Sequence, residues 1–344
     1  MGDATTGPRM SASVRSRSPK SSHAPASPPT GEATTSAPIE VDDVVDDGLS
    51  IDDQISTYTA SLSPSVVDYP TEYGRRYHAY RAGTYQFPND EREIERLDLI
   101  HTLHVKTIGN KLFLAPIEAD KTHRILDIGT GTGSWAIDVG DLLPNAEVIG
   151  NDLSPIQPGW VPPNVKFEID DVESPWVGSL KYDFVFSRYM AASIKDWPRY
   201  VGQIYEGLNS GGWAEFQDYD FMLESEDDSL KNTETFQWNT NMMRAFGIIG
   251  REAKPGPKLE SWVREAGFQN IYYQRFKIPL GPWARDPALK DLGMCNLVQT
   301  LDGIEGFTLK MFCGVLGWGT EEVAVFLARV RKEMKAGKFH SHLN

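Results

Sequence analysis

Cysteine is nearly absent from this chain. The 344 residues include two, Cys295 and Cys313, in no metal-ligand spacing. That leaves no basis for a disulfide framework or a metal centre, and both are expected as free thiols in a reducing compartment. Positive charge is also scarce. Lys and Arg total 34 against 48 Asp and Glu, a net charge of −14, which argues against a general nucleic-acid binder. No apolar run reaches the ~18 residues needed to cross a membrane, and the N-terminus carries no apolar signal core. No lysine follows the glycine-rich stretch described below, so a phosphate-loop nucleoside triphosphatase is not expected.

What is present divides the chain in two. Residues 1–65 are rich in Ser, Thr, Pro and Ala, with hardly an aromatic. Such a segment cannot bury enough apolar surface to offset the entropy of ordering, and a disordered tail is expected. Folded sequence begins near Tyr69. Ile94, Leu97, Ile100 and Leu103 are spaced to make one helical stripe. Strands are then predicted at Ile125–Ile128, Glu147–Gly150, Val165–Ile169, Phe184–Ser187 and Trp213–Phe216. Helices at Ser134–Leu143 and Pro198–Leu208 separate them. Short apolar strands with helical crossovers indicate an α/β fold, a parallel sheet with helices on both faces. Further on, a helix is predicted at Pro257–Ala266, a strand at Ile271–Ile278, helical structure over 286–318 and a last helix at Glu321–Lys335.

The chemistry begins at the first of those strands. It runs into Asp127-x-Gly129-x-Gly131-x-Gly133 and then a helix. Glycine lets the backbone turn tightly and approach a ligand closely, and a carboxylate there suits a cationic, zwitterionic ligand such as S-adenosylmethionine. In an open parallel sheet the ligand sits beyond the carboxyl ends of the strands. Those ends place Asn151-Asp152-Leu153 after the second strand, with an acid 19 residues beyond Gly133 to hold ribose hydroxyls. Asp170-Asp171-Val172 follows the third strand, suited to adenine. Ser187-Arg188-Tyr189 follows the fourth, near the ligand's amino-acid end. NAD is the rival ligand: Gly131-x-Gly133-x-x-Ala136 and Asp152 fit its fingerprint. Against it, Asp127 adds negative charge near a pyrophosphate, and the Asp170–Asp171 pair has no role there.

At this point a family resemblance enters. Ile125 to Ala136 resembles the first motif of class I S-adenosylmethionine-dependent methyltransferases, whose fold is a seven-strand Rossmann-like sheet. More narrowly, the chain resembles the LaeA-like methyltransferases of filamentous fungi. The residues that carry this are Tyr77-His78-Ala79-Tyr80-Arg81 with Tyr85, Asp152-Leu153-Ser154-Pro155-Ile156-Gln157-Pro158, Asp171-Val172-Glu173-Ser174-Pro175-Trp176 and Pro279-Leu280-Gly281-Pro282-Trp283. The resemblance implies S-adenosylmethionine as cofactor. It places Asp127, Gly129, Gly131 and Gly133 on the methionine and ribose side, Asp152 and Leu153 at the ribose, Asp171 and Val172 at the adenine, and Tyr77 and Tyr85 closing the pocket. It implies a methyltransferase domain over 66–344, made of a cap segment (66–115), a cofactor core (116–220) and a C-terminal substrate region (221–344). The fold usually ends in an antiparallel strand. Here the chain stops at Phe339–Asn344, and a missing last strand would leave edges unpaired beside Trp213–Phe216 and Ile271–Ile278, so the expectation is that a short remnant pairs there, that the sheet rearranges, or that the chain is a truncated variant.

Methyl transfer needs a base only when the acceptor arrives protonated. His101, His104, Glu215 and Asp218 are the candidates. Trp238, Met242, Met243, Phe246, Met294, Phe312 and Trp318 suggest an apolar, adaptable acceptor cavity or ordinary core. Two functions follow from the resemblance. One is a tailoring enzyme that methylates O or N of a small organic acceptor in fungal secondary metabolism. The other is a regulator of secondary-metabolite gene expression acting through a protein partner in a nuclear complex. No direct nucleic-acid contact and no membrane are expected, and the location is cytoplasmic or nuclear.

Overall fold

The structure is a computed structural model, and it describes residues 70–81, 84–176 and 180–344. The tail expected at 1–65 lies outside the described residues. A two-residue hairpin, β1 (Thr71–Glu72) and β2 (Arg75–Arg76), leads to α1 (Glu91–Thr107). Asp90 caps α1, its carboxylate accepting from the Glu93 amide at 3.2 Å. Then come β3 (Arg124–Ile128), α2 (Ser134–Leu142), β4 (Glu147–Asp152), β5 (Val165–Ile169), β6 (Tyr182–Arg188), α3 (Trp197–Gly207) and β7 (Leu208–Gln217). The C-terminal half holds α4 (Glu234–Ile248), α5 (Gly256–Ala266), β8 (Ile278–Leu280), α6 (Pro287–Leu309) with a π-helical turn at Lys310–Val315, α7 (Thr320–Ala336) and β9 (Ser341–Leu343).

The main sheet has five parallel strands in the order β5-β4-β3-β6-β7. Side chains alternate across it. Leu126 and Ile128 join Val185, Trp197, Tyr200 and Ile204 on the α3 face. Ile125 joins Trp135, Val139, Phe184 and Phe186 on the α2 face. The chain order reverses at β3, with β4 on one side and β6 on the other, and that switch point positions the site. Among the described residues, no helix is long and apolar enough to cross a membrane.

One expected strand needs correction. Residues 271–277 form no strand; pairing starts at Ile278. The burial of 271–275 does alternate, but periodicity supplies no partner, and these residues join no ladder among the described residues. The sheet therefore has five strands, not seven, among the described residues. The C-terminus forms the short remnant strand, β9, which pairs antiparallel to β8, Ile278 opposite Leu343 and Leu280 opposite Ser341. A bridge between Glu224 and His342 extends this small sheet. Trp283 Nε1 donates to the Ser341 carbonyl at 3.0 Å. Gly293 permits the arrangement, because a Cβ there would lie 2.1 Å from the Gly281 carbonyl oxygen.

Candidate functional site

The carboxyl ends of β3, β4, β5 and β6 open into one cleft of about 140 Å³. Asp127, Gly129 and Gly131 line it from β3, Asn151, Asp152 and Leu153 from β4, Asp171 and Val172 beyond β5, and Arg188 and Tyr189 beyond β6. Tyr85, Leu97, Ile100 and His101 cover it from the N-terminal segment and α1.

The glycine turn is held open by geometry that side chains would break. Gly129, Gly131 and Gly133 have φ of 66°, 58° and 82°, values that favour glycine. A Cβ on Gly129 would stand 2.6 Å from Met190 Sδ. Gly133 serves a different purpose: it does not line the cleft, and a Cβ there would meet the Phe167 ring at 2.4 Å. It is the N-cap of α2 and has no side-chain cap, so the helix's free amides stay at the turn. Thr132 Oγ1 and Ser134 Oγ both donate to Asp98 Oδ1 at 2.7 Å, tying the turn to α1.

The acids differ in their surroundings. Asp127 is buried and accepts from Thr130 Oγ1 at 2.6 Å. Burial pushes its pKa up to about 7 against the pull of Thr130 and Arg188. Asp152 accepts from the Gly131 and Ser154 amides, both at 2.9 Å, and burial raises its pKa too. It thereby links the Asp152–Pro158 run to the turn, aided by Gln157 Nε2 donating to the Gly131 carbonyl at 2.6 Å. Asp171 accepts from the Glu173 amide at 3.0 Å and pairs with Arg81 at 2.9 Å. Asn151 Oδ1 is buried at the cleft with no partner among the described residues. An orphaned acceptor there fits a ligand that brings its own donors.

Not every predicted residue comes here. Tyr85 lines the cleft, and burial drives its hydroxyl pKa upward. Tyr77 does not; it is buried elsewhere, with Lys310 Nζ 4.4 Å from its ring centroid. Glu215 lies outside the lining and accepts from the Leu114 and Ala115 amides at 2.8 and 2.7 Å and from Gln217 Nε2 at 2.7 Å. Those bonds anchor a loop. Asp218 accepts from the Met190 and Ala191 amides at 2.8 and 2.9 Å, and burial raises its pKa to about 7. His104 is buried edge-on to Tyr189, and burial lowers its pKa. His101 does reach the cleft, but Nε2 lies 2.9 Å from Asp138 Oδ2 and Nδ1 2.8 Å from an Arg188 nitrogen. Asp138 went unnamed in the sequence, and neither Asp98 nor Asn151 was given a role of its own there. The one available signal was Asp98 and His101, three apart on a predicted helix and so on one face. Trp238, Met242, Met243, Phe246, Phe312 and Trp318 pack the C-terminal core instead of the cleft, and Met294 is buried outside the cleft too; Met242, Phe246 and Phe312 are fully buried.

A parallel sheet covered on both faces, with a glycine turn and buried acids at its switch point, defines the Rossmann-like class of nucleoside-cofactor enzymes. A methyltransferase-domain model matches residues 79–273. The chain is 49% identical over 286 residues to methyltransferase pytC of Aspergillus terreus, covering 82% of this chain and 87% of that one. It is 34% identical over 288 residues to the secondary metabolism regulator laeA of Aspergillus fumigatus, covering 83% and 77%. To the protein-methionine methyltransferase laeA of Emericella nidulans it is 33% identical over 275 residues, covering 79% and 73%. The chain belongs to the methyltransferase-domain family, whose methyl donor is S-adenosylmethionine.

Proposed function

We propose that the cleft binds S-adenosylmethionine and passes its methyl group to an oxygen or nitrogen of a small organic acceptor in fungal secondary metabolism. The observation that carries this is the meeting of Asp127, Asp152 and Asp171 with the Gly129–Gly131 turn in one cavity. Asp127 and the glycine turn face the methionine and ribose side, Asp152 and Leu153 the ribose, and Asp171 and Val172 the adenine. Residues 66–344 form the catalytic unit: 66–115 cap the cleft, 116–220 hold the cofactor, and 221–344 support the acceptor side. The bound cofactor supplies an electrophilic methyl group. The chain's own residues position the acceptor about 3 Å from it and exclude water. His101 and Glu215 have their polar atoms engaged, which favours positioning over a dedicated base. The protein works in the cytosol or the nucleus.

A second reading, regulation of secondary-metabolite genes through a protein partner, is favoured by the 34% identity to laeA of Aspergillus fumigatus, itself named a secondary metabolism regulator. Metabolite profiling of a deletion strain separates the two. Loss of one methylation supports a tailoring enzyme, and broad silencing supports a regulator. The shared premise is tested by S-adenosylmethionine binding to the wild type and Gly131→Asp. Binding is expected for the first and a loss above ~100-fold for the second, since φ at Gly131 is 58° and a carboxylate would enter the cleft. Equal binding, or none by either, removes the cofactor assignment.

A further inference from the structure

We propose that Arg188 receives the carboxylate of the cofactor's methionine moiety opposite Asp127, and that His101 and Asp138 hold the guanidinium in place. This rests on the cofactor reading above.

The argument starts from strand register. Ile128 on β3 lies opposite Ser187 on β6, so Arg188 reaches the level of the glycine turn. It lines the same cavity as Asp127. Burial lowers the Arg188 pKa to about 10, while the nearby Asp127 charge raises it. A guanidinium at that value still carries its charge at neutral pH. An arginine and a carboxylate in a shared cavity would ordinarily close into an ion pair. Here Arg188 makes no ion pair among the described residues. Its one side-chain hydrogen bond there is to His101 Nδ1, at 2.8 Å. An arginine and an aspartate that line one cavity without pairing match a zwitterion, ammonium toward Asp127 and carboxylate toward Arg188. A planar guanidinium is well shaped for that carboxylate.

The supporting contacts follow from donor chemistry. Arginine only donates, so His101 Nδ1 accepts and its proton sits on Nε2. Nε2 then donates to Asp138 Oδ2 at 2.9 Å. His101 comes from α1 and Asp138 from α2, so two helices fix the guanidinium that β6 carries. His101 is thus a positioning residue.

The test uses the full chain and three ligands: S-adenosylhomocysteine, its decarboxylated analogue, and 5′-methylthioadenosine, which lacks the amino-acid tail. The wild type is expected to prefer S-adenosylhomocysteine over the decarboxylated analogue by about 10- to 100-fold. Arg188→Gln should erase that preference and leave 5′-methylthioadenosine affinity within about twofold, which also reports a folded cleft. Arg188→Lys should recover part of it. His101→Ala should cut the preference by roughly 3- to 10-fold, and His101→Asn, whose amide oxygen can stand in for Nδ1, should restore it. The proposal is overturned if Arg188→Gln keeps the preference, or if it weakens all three ligands equally. A wild type that binds none of the three overturns the cofactor reading itself.

Discussion

The carboxyl edge of the sheet and the C-terminal helical half are both rich in buried polar groups, but they use them in opposite ways. In the C-terminal half the amides on α4 and α6 are closed, although Ser341 Oγ and His342 Nδ1 at the small sheet find no partner among the described residues. Asn239 accepts from the Leu223 amide and donates to the Phe221 carbonyl, while Asn296 and Gln299 bond to each other and to Pro279, Thr300 and Arg96. At the cleft the polar groups are left open. Asn151 Oδ1 has no partner, and Arg188 and Asp127 face one cavity without pairing. Satisfied networks rigidify a core, and unsatisfied ones cost stability unless a ligand completes them. The difference separates a stability half from a binding edge, and each prediction below tests that separation.

The largest effect is expected from Phe312→Ala. Phe312 is fully buried, 5.0 Å from the Trp318 ring and 6.0 Å from the Phe326 ring. Truncation should cost about 3–5 kcal/mol, a drop in Tm on the order of 10 °C. Cofactor Kd, measured in the cold where the variant remains folded, should stay within about twofold. A tenfold loss would show that the two regions are not separable.

Asp127→Asn should act in the reverse sense. Burial raises the folded pKa of Asp127 to about 7 from the ordinary 3.8. Between those values the folded state holds more protons than the unfolded, so stability falls as pH rises through that window. Removing the charge should therefore stabilise the ligand-free protein by roughly 2 kcal/mol at pH 8 and change little at pH 4. Cofactor binding should weaken about 10- to 100-fold with loss of a charge-assisted contact. Parallel Tm–pH curves for variant and wild type would remove the buried-charge account.

The same contrast explains what could be read in advance. The strand ends were legible because alternation at Ile125–Ile128 and the glycine turn are local signals, and the parallel order follows from them. The acids Asp127, Asp152 and Asp171 meet because each closes a strand of one sheet. Tyr77 and Gly133 look equivalent to Tyr85 and Gly131 in the chain, yet burial beneath Lys310 and packing on Phe167 turn them away. Such facing is set by contacts distant in sequence. The Asp138–His101–Arg188 series joins three elements, and no spacing announces it. Residues 271–277 show that alternation marks a surface, whereas a strand also needs a neighbour.

Trp283→Phe probes the border of the stability half with the smallest change. Its Nε1 donates to the Ser341 carbonyl at 3.0 Å, in a buried bond that pins β9 beside β8. Ser341 and His342 are buried although they stand at the end of the chain, so their order depends on a few such contacts. Phe keeps most of the ring packing and removes the donor. The expected cost is about 1–2 kcal/mol, because the carbonyl is left without its partner. Hydrogen exchange should then speed up by roughly 5- to 30-fold at Ile278–Leu280 and Ser341–Leu343, with β3 and β6 unchanged and cofactor Kd unaltered. A uniform acceleration across the parallel sheet would mean that the C-terminal pair is part of the cleft's own cooperative unit, and that the division between stability half and binding edge fails at this boundary.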